Sequence, residues 1–163
     1  MARMLKVRVG ATLVVGALIL SACAGGTSPS PTTGGGGSVP PGGGTTIDVT
    51  LQEWAVVPSA DAAPAGDVTF KVTNQGPADP HEFVILKTDL GASALPVDET
   101  GTVDEEGAGI EVIDEIEDIA VDGSGEVTAT LEAGTYVLLC NIYDETELEA
   151  HYAMGMRIDF TVN

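Results

Sequence analysis

The sequence predicts an all-β fold, a compact β-sandwich over residues 47–163. Two observations predict it. Apolar and polar residues alternate at period two in six short segments, and Gly, Pro, Asn or Asp bound those segments. Alternation sends every second side chain to one face, which is the pattern of half-buried antiparallel strands. Six such faces need each other for cover, so two packed sheets follow.

The first strand, Ile47–Leu51, turns Ile47, Val49 and Leu51 to one side, and Asp67–Thr73 does the same with Val68, Phe70 and Val72. His81–Ile85 is the third. Glu126–Leu131 and Thr135–Cys140 follow, separated by Glu132, Ala133 and Gly134, and Met156–Val162 closes the chain. Residues 91–123 break the rhythm, with 11 acids from Asp98 to Asp122 and with Val112, Ile113, Ile116 and Ile119 near helical spacing. This stretch reads as a long connection with a short amphipathic helix, its isoleucines a lid over the sandwich and its acids a solvated face. A hard-cation site made from those carboxylates is the alternative, although EF-hand spacing is absent.

Ahead of the sandwich lie an export address and a tether. Residues 1–8 are basic and residues 9–20 are apolar, a run too short to span a bilayer comfortably, so residues 1–22 read as a secretory signal. Leu20-Ser21-Ala22-Cys23 resembles a bacterial lipobox, which implies lipidation of Cys23 and attachment to the membrane by its N-terminal lipid. Residues 23–46 are dominated by Gly, Ser, Thr and Pro, a flexible linker with a reach on the order of 25 Å. The domain is therefore expected outside the cytoplasm, lipid-anchored to the cell membrane.

Charge narrows the function classes. The chain has 163 residues, 25 acids and 6 bases, for a net charge of −19, and every acid lies at Asp48 or beyond. Such a surface repels phosphate backbones, so nucleic acid is excluded as a partner. Disorder fits poorly, because the acids interleave with patterned Val, Ile, Leu and Phe.

Four side chains converge in the predicted sandwich. Cys140 is the last cysteine once Cys23 is lipidated, and an exported compartment oxidises an unprotected thiol. The two histidines are His81, at the head of a strand, and His151, after Cys140; Met154 and Met156 follow. His81 shares parity with Phe83 and Ile85, Cys140 with Tyr136 and Leu138, and Met156 with Ile158 and Phe160. All three point inward from strand ends, and His151 joins from a loop. Two imidazoles, a thiolate and a weak thioether are the donors of a blue-copper site, where a rigid sandwich limits geometric change between oxidation states. Zinc accepts the same N and S donors.

At these residues the chain resembles the cupredoxins, the small blue-copper proteins that include plastocyanin, amicyanin and the lipid-anchored halocyanins. Asn74-Gln75-Gly76 with Pro80-His81-Glu82-Phe83, the strand from Gly134 to Asn141, and His151-Tyr152-Ala153-Met154-Gly155-Met156 carry the likeness, which covers residues 47–163. The resemblance implies a Greek-key β-sandwich and one type 1 copper held by His81, Cys140 and His151 with Met156 axial, Met154 being the alternative. It also implies that an exposed edge of His151, with Tyr152, Ala153 and Met154, passes the electrons.

One departure stands out. Ten residues separate Cys140 from His151, a gap much longer than in the small carriers of the family, and Asp144, Glu145, Glu147 and Glu149 lie in it. The family's copper nitrite reductases tolerate a long gap here. Those acids are expected beside the metal, lowering its potential or displacing the axial thioether.

The function expected is that of a membrane-tethered carrier of single electrons between redox partners, not an enzyme, since two histidines do not supply a second copper site. The acidic surface steers it toward a redox protein with a basic docking face, and salt weakens that association. A copper capture or delivery lipoprotein of the cell envelope is the alternative.

Overall fold

The computed structural model describes residues 44–163. The expected signal peptide, Cys23 and most of the expected linker lie outside the described residues. Eleven strands and one helical turn follow in order: β1 (Thr45–Gln52), β2 (Ala55–Pro58), β3 (Ala62–Ala63), β4 (Gly66–Asn74), β5 (His81–Lys87), β6 (Glu111–Ile119), β7 (Ser124–Leu131), β8 (Gly134–Leu139), β9 (Tyr143–Asp144), β10 (Glu149–Ala150), α1 (His151–Met154) and β11 (Arg157–Val162). They form a four-stranded sheet in the order β2-β1-β4-β7 and a five-stranded sheet in the order β3-β11-β8-β5-β6, with β9 and β10 paired as a small hairpin.

All six predicted strands are present, and the inward parity holds. Val49, Leu51, Val68, Phe70 and Val72 from one sheet meet Phe83, Ile85, Leu138 and Phe160 from the other in one core. Phe70 is its centre, with ring centroids 5.4 Å from Phe83 and 5.6 Å from Phe160. Burying each such ring stabilises the fold by about 1.5–3 kcal/mol.

The sheets are mixed where the sequence predicts antiparallel pairing. β1 begins at Thr45, two residues before the expected start, and runs parallel to β4. The chain leaves the first sheet after β2, adds β3 to the second sheet beside β11, and returns to enter β4 in the direction of β1. Segments as short as β2, β3, β9 and β10 are too brief to show a period.

The expected helix in residues 91–123 is instead the strand β6, antiparallel to β5. Its partners along β5 step from His81↔Ile119 to Phe83↔Ile116, and from Ile85↔Asp114 to Leu86↔Val112. Each step holds one extra residue on β6, which is a β-bulge. A bulge resets parity, so Ile119, Ile116 and Ile113, three residues apart, all turn toward the core. Asp118, in the first bulge, has φ 51°. Spacing that mimics a helix thus arises from a strand bulged twice.

The segment before β6 covers the outer face of the second sheet. Ala92, Leu95 and Val103, with Tyr152, bury Val84, Leu86, Val137 and Leu139. That cover is why β5 and β8 are apolar on both faces.

Candidate metal centre

Three strand ends of the second sheet meet at one pole. β5 starts with His81, β8 delivers Cys140 immediately after Leu139, and Met156 immediately precedes β11. The ladder of β8 and β11 continues one step past the strands, the Cys140 N–H donating to the Met156 carbonyl at 3.0 Å. His81, Cys140, His151 and Met156 are all buried.

The loop that brings in His81 is tied down by Asn74. Its Nδ2 donates to the carbonyls of Asp79 and Ile119, both at 2.9 Å, and its Oδ1 accepts the Gly76 N–H at 2.8 Å. Beyond Cys140, Asn141 exchanges bonds with the Val103 backbone and donates to Glu105 at 2.9 Å.

The long gap before His151 folds away as a hairpin. Tyr143 pairs with Ala150, Asp144 with Glu149, and the His151 N–H donates to the Ile142 carbonyl at 2.9 Å. Chain leaving Cys140 therefore returns beside it, whatever the length of the excursion. Glu145 and Glu147 are exposed at the hairpin tip, and no carboxylate of this loop joins the metal-binding group found among the described residues. α1 then turns the His151 ring inward, and Gly155, at φ 129°, ends it so that the chain enters β11.

The donor atoms converge. Nδ1 of His81 lies 3.1 Å from Nδ1 of His151, and Cys140 Sγ lies 3.4 Å from the same His151 atom. All three donors lie within 4.8 Å of one another. Imidazoles that share a first-row ion, each bonded at about 2.0–2.1 Å, must have their nitrogens within about 4 Å. The observed pair meets that limit. A soft thiolate with two imidazoles on a closed sandwich fits one type 1 copper ion. Met156 is wholly buried in the core beside the group, whereas Met154 on α1 is 43% exposed.

The expected exposed edge of His151 is absent. The residue is 1% exposed, because Trp54 packs edge-on against its ring at a centroid distance of 5.0 Å. Tyr152 is buried as well, its hydroxyl donating to the Ala92 carbonyl at 2.7 Å. Of that expected patch, Ala153 and Met154 are the exposed members.

Burial sets the protonation states. It pushes the Cys140 thiol up to about 12, against the backbone N–H groups of Glu82 and Ile142. Burial also lowers both histidines, with His151 adding to the effect on His81. The metal-free group is therefore a thiol with two neutral imidazoles at neutral pH. An ion must displace the thiol proton, as soft cations do.

Two neighbours escaped the sequence reading. Glu53 and Trp54, in the turn between β1 and β2, lie one against each histidine. Glu53 Oε1 is 3.7 Å from His81 Nε2 and accepts the N–H groups of Ala78 at 3.2 Å and Asp79 at 2.9 Å. Burial opposes its ionisation; those two donors and His81 outweigh it and hold the carboxyl below its usual range. Neither residue carries a sequence signal beyond Trp54 being the one tryptophan of the chain.

Glu82 behaves in the opposite way. Burial raises its carboxyl to about 7, the Asn141 N–H at 2.7 Å opposes the rise, and Glu105, Glu115 and Glu117 add to it. The folded protein thus keeps a proton that the unfolded chain gives up near 4.5. This contribution to stability is full below pH 4.5 and is lost as pH rises through about 7. Glu82→Gln, which keeps the acceptor, is expected to raise the Tm of the metal-free protein above pH 7 and not below pH 4.5. Thermal unfolding at both pH values checks it, and an equal shift at each would remove burial as the cause.

No protein-family model matches the sequence, and no curated protein matches it. Solved structures do. Dithionite-reduced auracyanin from Roseiflexus castenholzii is 27% identical with a TM-score of 0.52, covering 73% of this chain and 97% of that one. Reduced rusticyanin is 21% identical with a TM-score of 0.51, over 74% of this chain and 79% of its own. Auracyanin A from Chloroflexus aurantiacus, described as a "blue" copper protein, is 23% identical with a TM-score of 0.50, over 74% of this chain and 100% of its own. With this sandwich and a buried His-Cys-His group at its pole, the chain has the cupredoxin-like fold of these copper proteins, and its donor group fits one type 1 copper ion.

Proposed function

We propose that the protein carries single electrons between redox partners through one type 1 copper ion held by His81, Cys140 and His151, with Met156 as axial ligand. The observation that supports this reading best is the convergence of two Nδ1 atoms and one Sγ among fully buried residues. Copper supplies a one-electron couple there; the protein supplies fixed donors and excludes water. Burial favours a resident ion over one captured and handed on, because exchange requires the pole to open.

The domain works outside the cytoplasm, tethered through lipidated Cys23 and the linker, and is not an enzyme. Its acidic surface recruits a redox protein with a basic docking face, in an association that weakens with salt.

Adding Cu(II) to the metal-free protein tests the reading. The expected result is one equivalent bound with an intense visible absorption from thiolate-to-copper charge transfer. Tight binding without that absorption would favour the capture or delivery role instead. Met156→Leu is expected to keep the colour and raise the reduction potential, since a donor that favours Cu(II) is removed. An unmoved potential in voltammetry would take Met156 out of the axial position.

A further inference from the structure

We infer that Glu53 is the outer carboxylate of the metal centre: it faces the Nε2 side of His81, leaves Nδ1 to the ion, and lowers the reduction potential by its charge. This rests on the copper reading above.

The orientation of the His81 ring carries the argument. Its Nδ1 points into the donor group, 3.1 Å from His151 Nδ1. Its Nε2 points the other way, 3.7 Å from Glu53 Oε1. A neutral imidazole has one lone pair and one N–H, so an ion on Nδ1 places the proton on Nε2. That proton then faces a carboxylate in a buried place, the arrangement by which metal-bound histidines are commonly held. Among the described residues, the buried side-chain polar atoms without a hydrogen-bond partner are this Nε2 and Glu53 Oε2. At 3.7 Å the pair is too long for a hydrogen bond and is a contact between a carboxylate and the dipole of a neutral imidazole.

The surroundings are shaped for this carboxylate. Its Oε1 anchors the N–H groups of Ala78 and Asp79, so it grips the loop that leads into His81. A Cβ on Gly76 would sit 2.7 Å from Glu53 Oε1 and 2.9 Å from Asn74 Oδ1. Only glycine leaves that approach open. The Glu53 side chain is 11% exposed, so water screens its charge weakly. A weakly screened anion beside the centre favours Cu(II) over Cu(I).

A purely structural anchor and an electrostatic one separate in Glu53→Gln, which keeps an acceptor for the loop and removes the charge. The copper-loaded variant is expected to stay folded and coloured, with the equilibrium shifted about tenfold toward Cu(I), a rise of about 59 mV for a one-electron couple. A coloured variant with the wild-type potential would overturn the inference. Should the variant fail to fold or to hold copper, the wild-type Cu(I) protein decides by NMR. The His81 proton is expected on Nε2 and protected from exchange; a proton on Nδ1 would overturn the inference. Wild-type protein that binds copper without thiolate absorption would remove the carrier reading itself, whereas a coloured wild type beside an unshifted variant removes only Glu53.

Discussion

Cys140→Ser is expected to abolish the visible thiolate-to-copper absorption while the sandwich stays folded. The sulfur is wholly buried, lies 3.4 Å from His151 Nδ1 and accepts the Glu82 N–H at 3.4 Å. A serine hydroxyl fits the same space and still offers an acceptor to Glu82. It is a hard donor that does not ionise here, so charge transfer to copper has no source. The substitution costs about 1–3 kcal/mol for a poorly partnered buried hydroxyl. Circular dichroism should therefore show native β-structure at a lowered Tm.

The same experiment reports on the proton. Because burial holds the Cys140 thiol near 12, copper binding to the wild type near neutrality must release that proton to the buffer, and affinity rises about tenfold per pH unit. The serine variant should release none. A variant that stays coloured would place the copper elsewhere.

Asn74→Ala is expected to cause the largest loss of stability of any single polar substitution near the pole. The side chain is wholly buried and makes three hydrogen bonds, to Asp79, Ile119 and Gly76. Truncation leaves two carbonyls and one N–H without their partner, and each buried orphan costs about 1–3 kcal/mol. A loss of about 3 kcal/mol or more should appear as a lower denaturant midpoint. Copper should also dissociate faster, since the loop entering His81 loses its tie to the end of β6. A change within about 0.5 kcal/mol would mean that water replaces the amide, and Asn74 would then be incidental.

Much of the centre was legible along the chain. Ile47, Val68, Phe70, His81, Cys140 and Met156 all point where period two sends them, because alternation is enforced residue by residue by the pleat. Asn74 and Gly76 were legible as a motif, but their roles were not. One ties the loop to β6; the other makes room for Glu53. β6 misled because its two bulges erase the alternation that identifies a strand, and bulges are set by the partner β5 rather than by β6 alone. The gap between Cys140 and His151 looked like a threat to the donor set. It became harmless once its ends paired as β9 and β10.

The sequence by itself determined the all-β class, the inward faces and the kind of ion suited to a thiol, two imidazoles and a thioether. Those follow from backbone geometry and donor chemistry, which act over a few residues. Only the tertiary structure decided that His151 is covered by Trp54, that Glu53 backs His81, and that no acid of the long loop joins the donor group. Such contacts join residues far apart in the chain. They depend on strand register and on which loops pack together, and no local period encodes either.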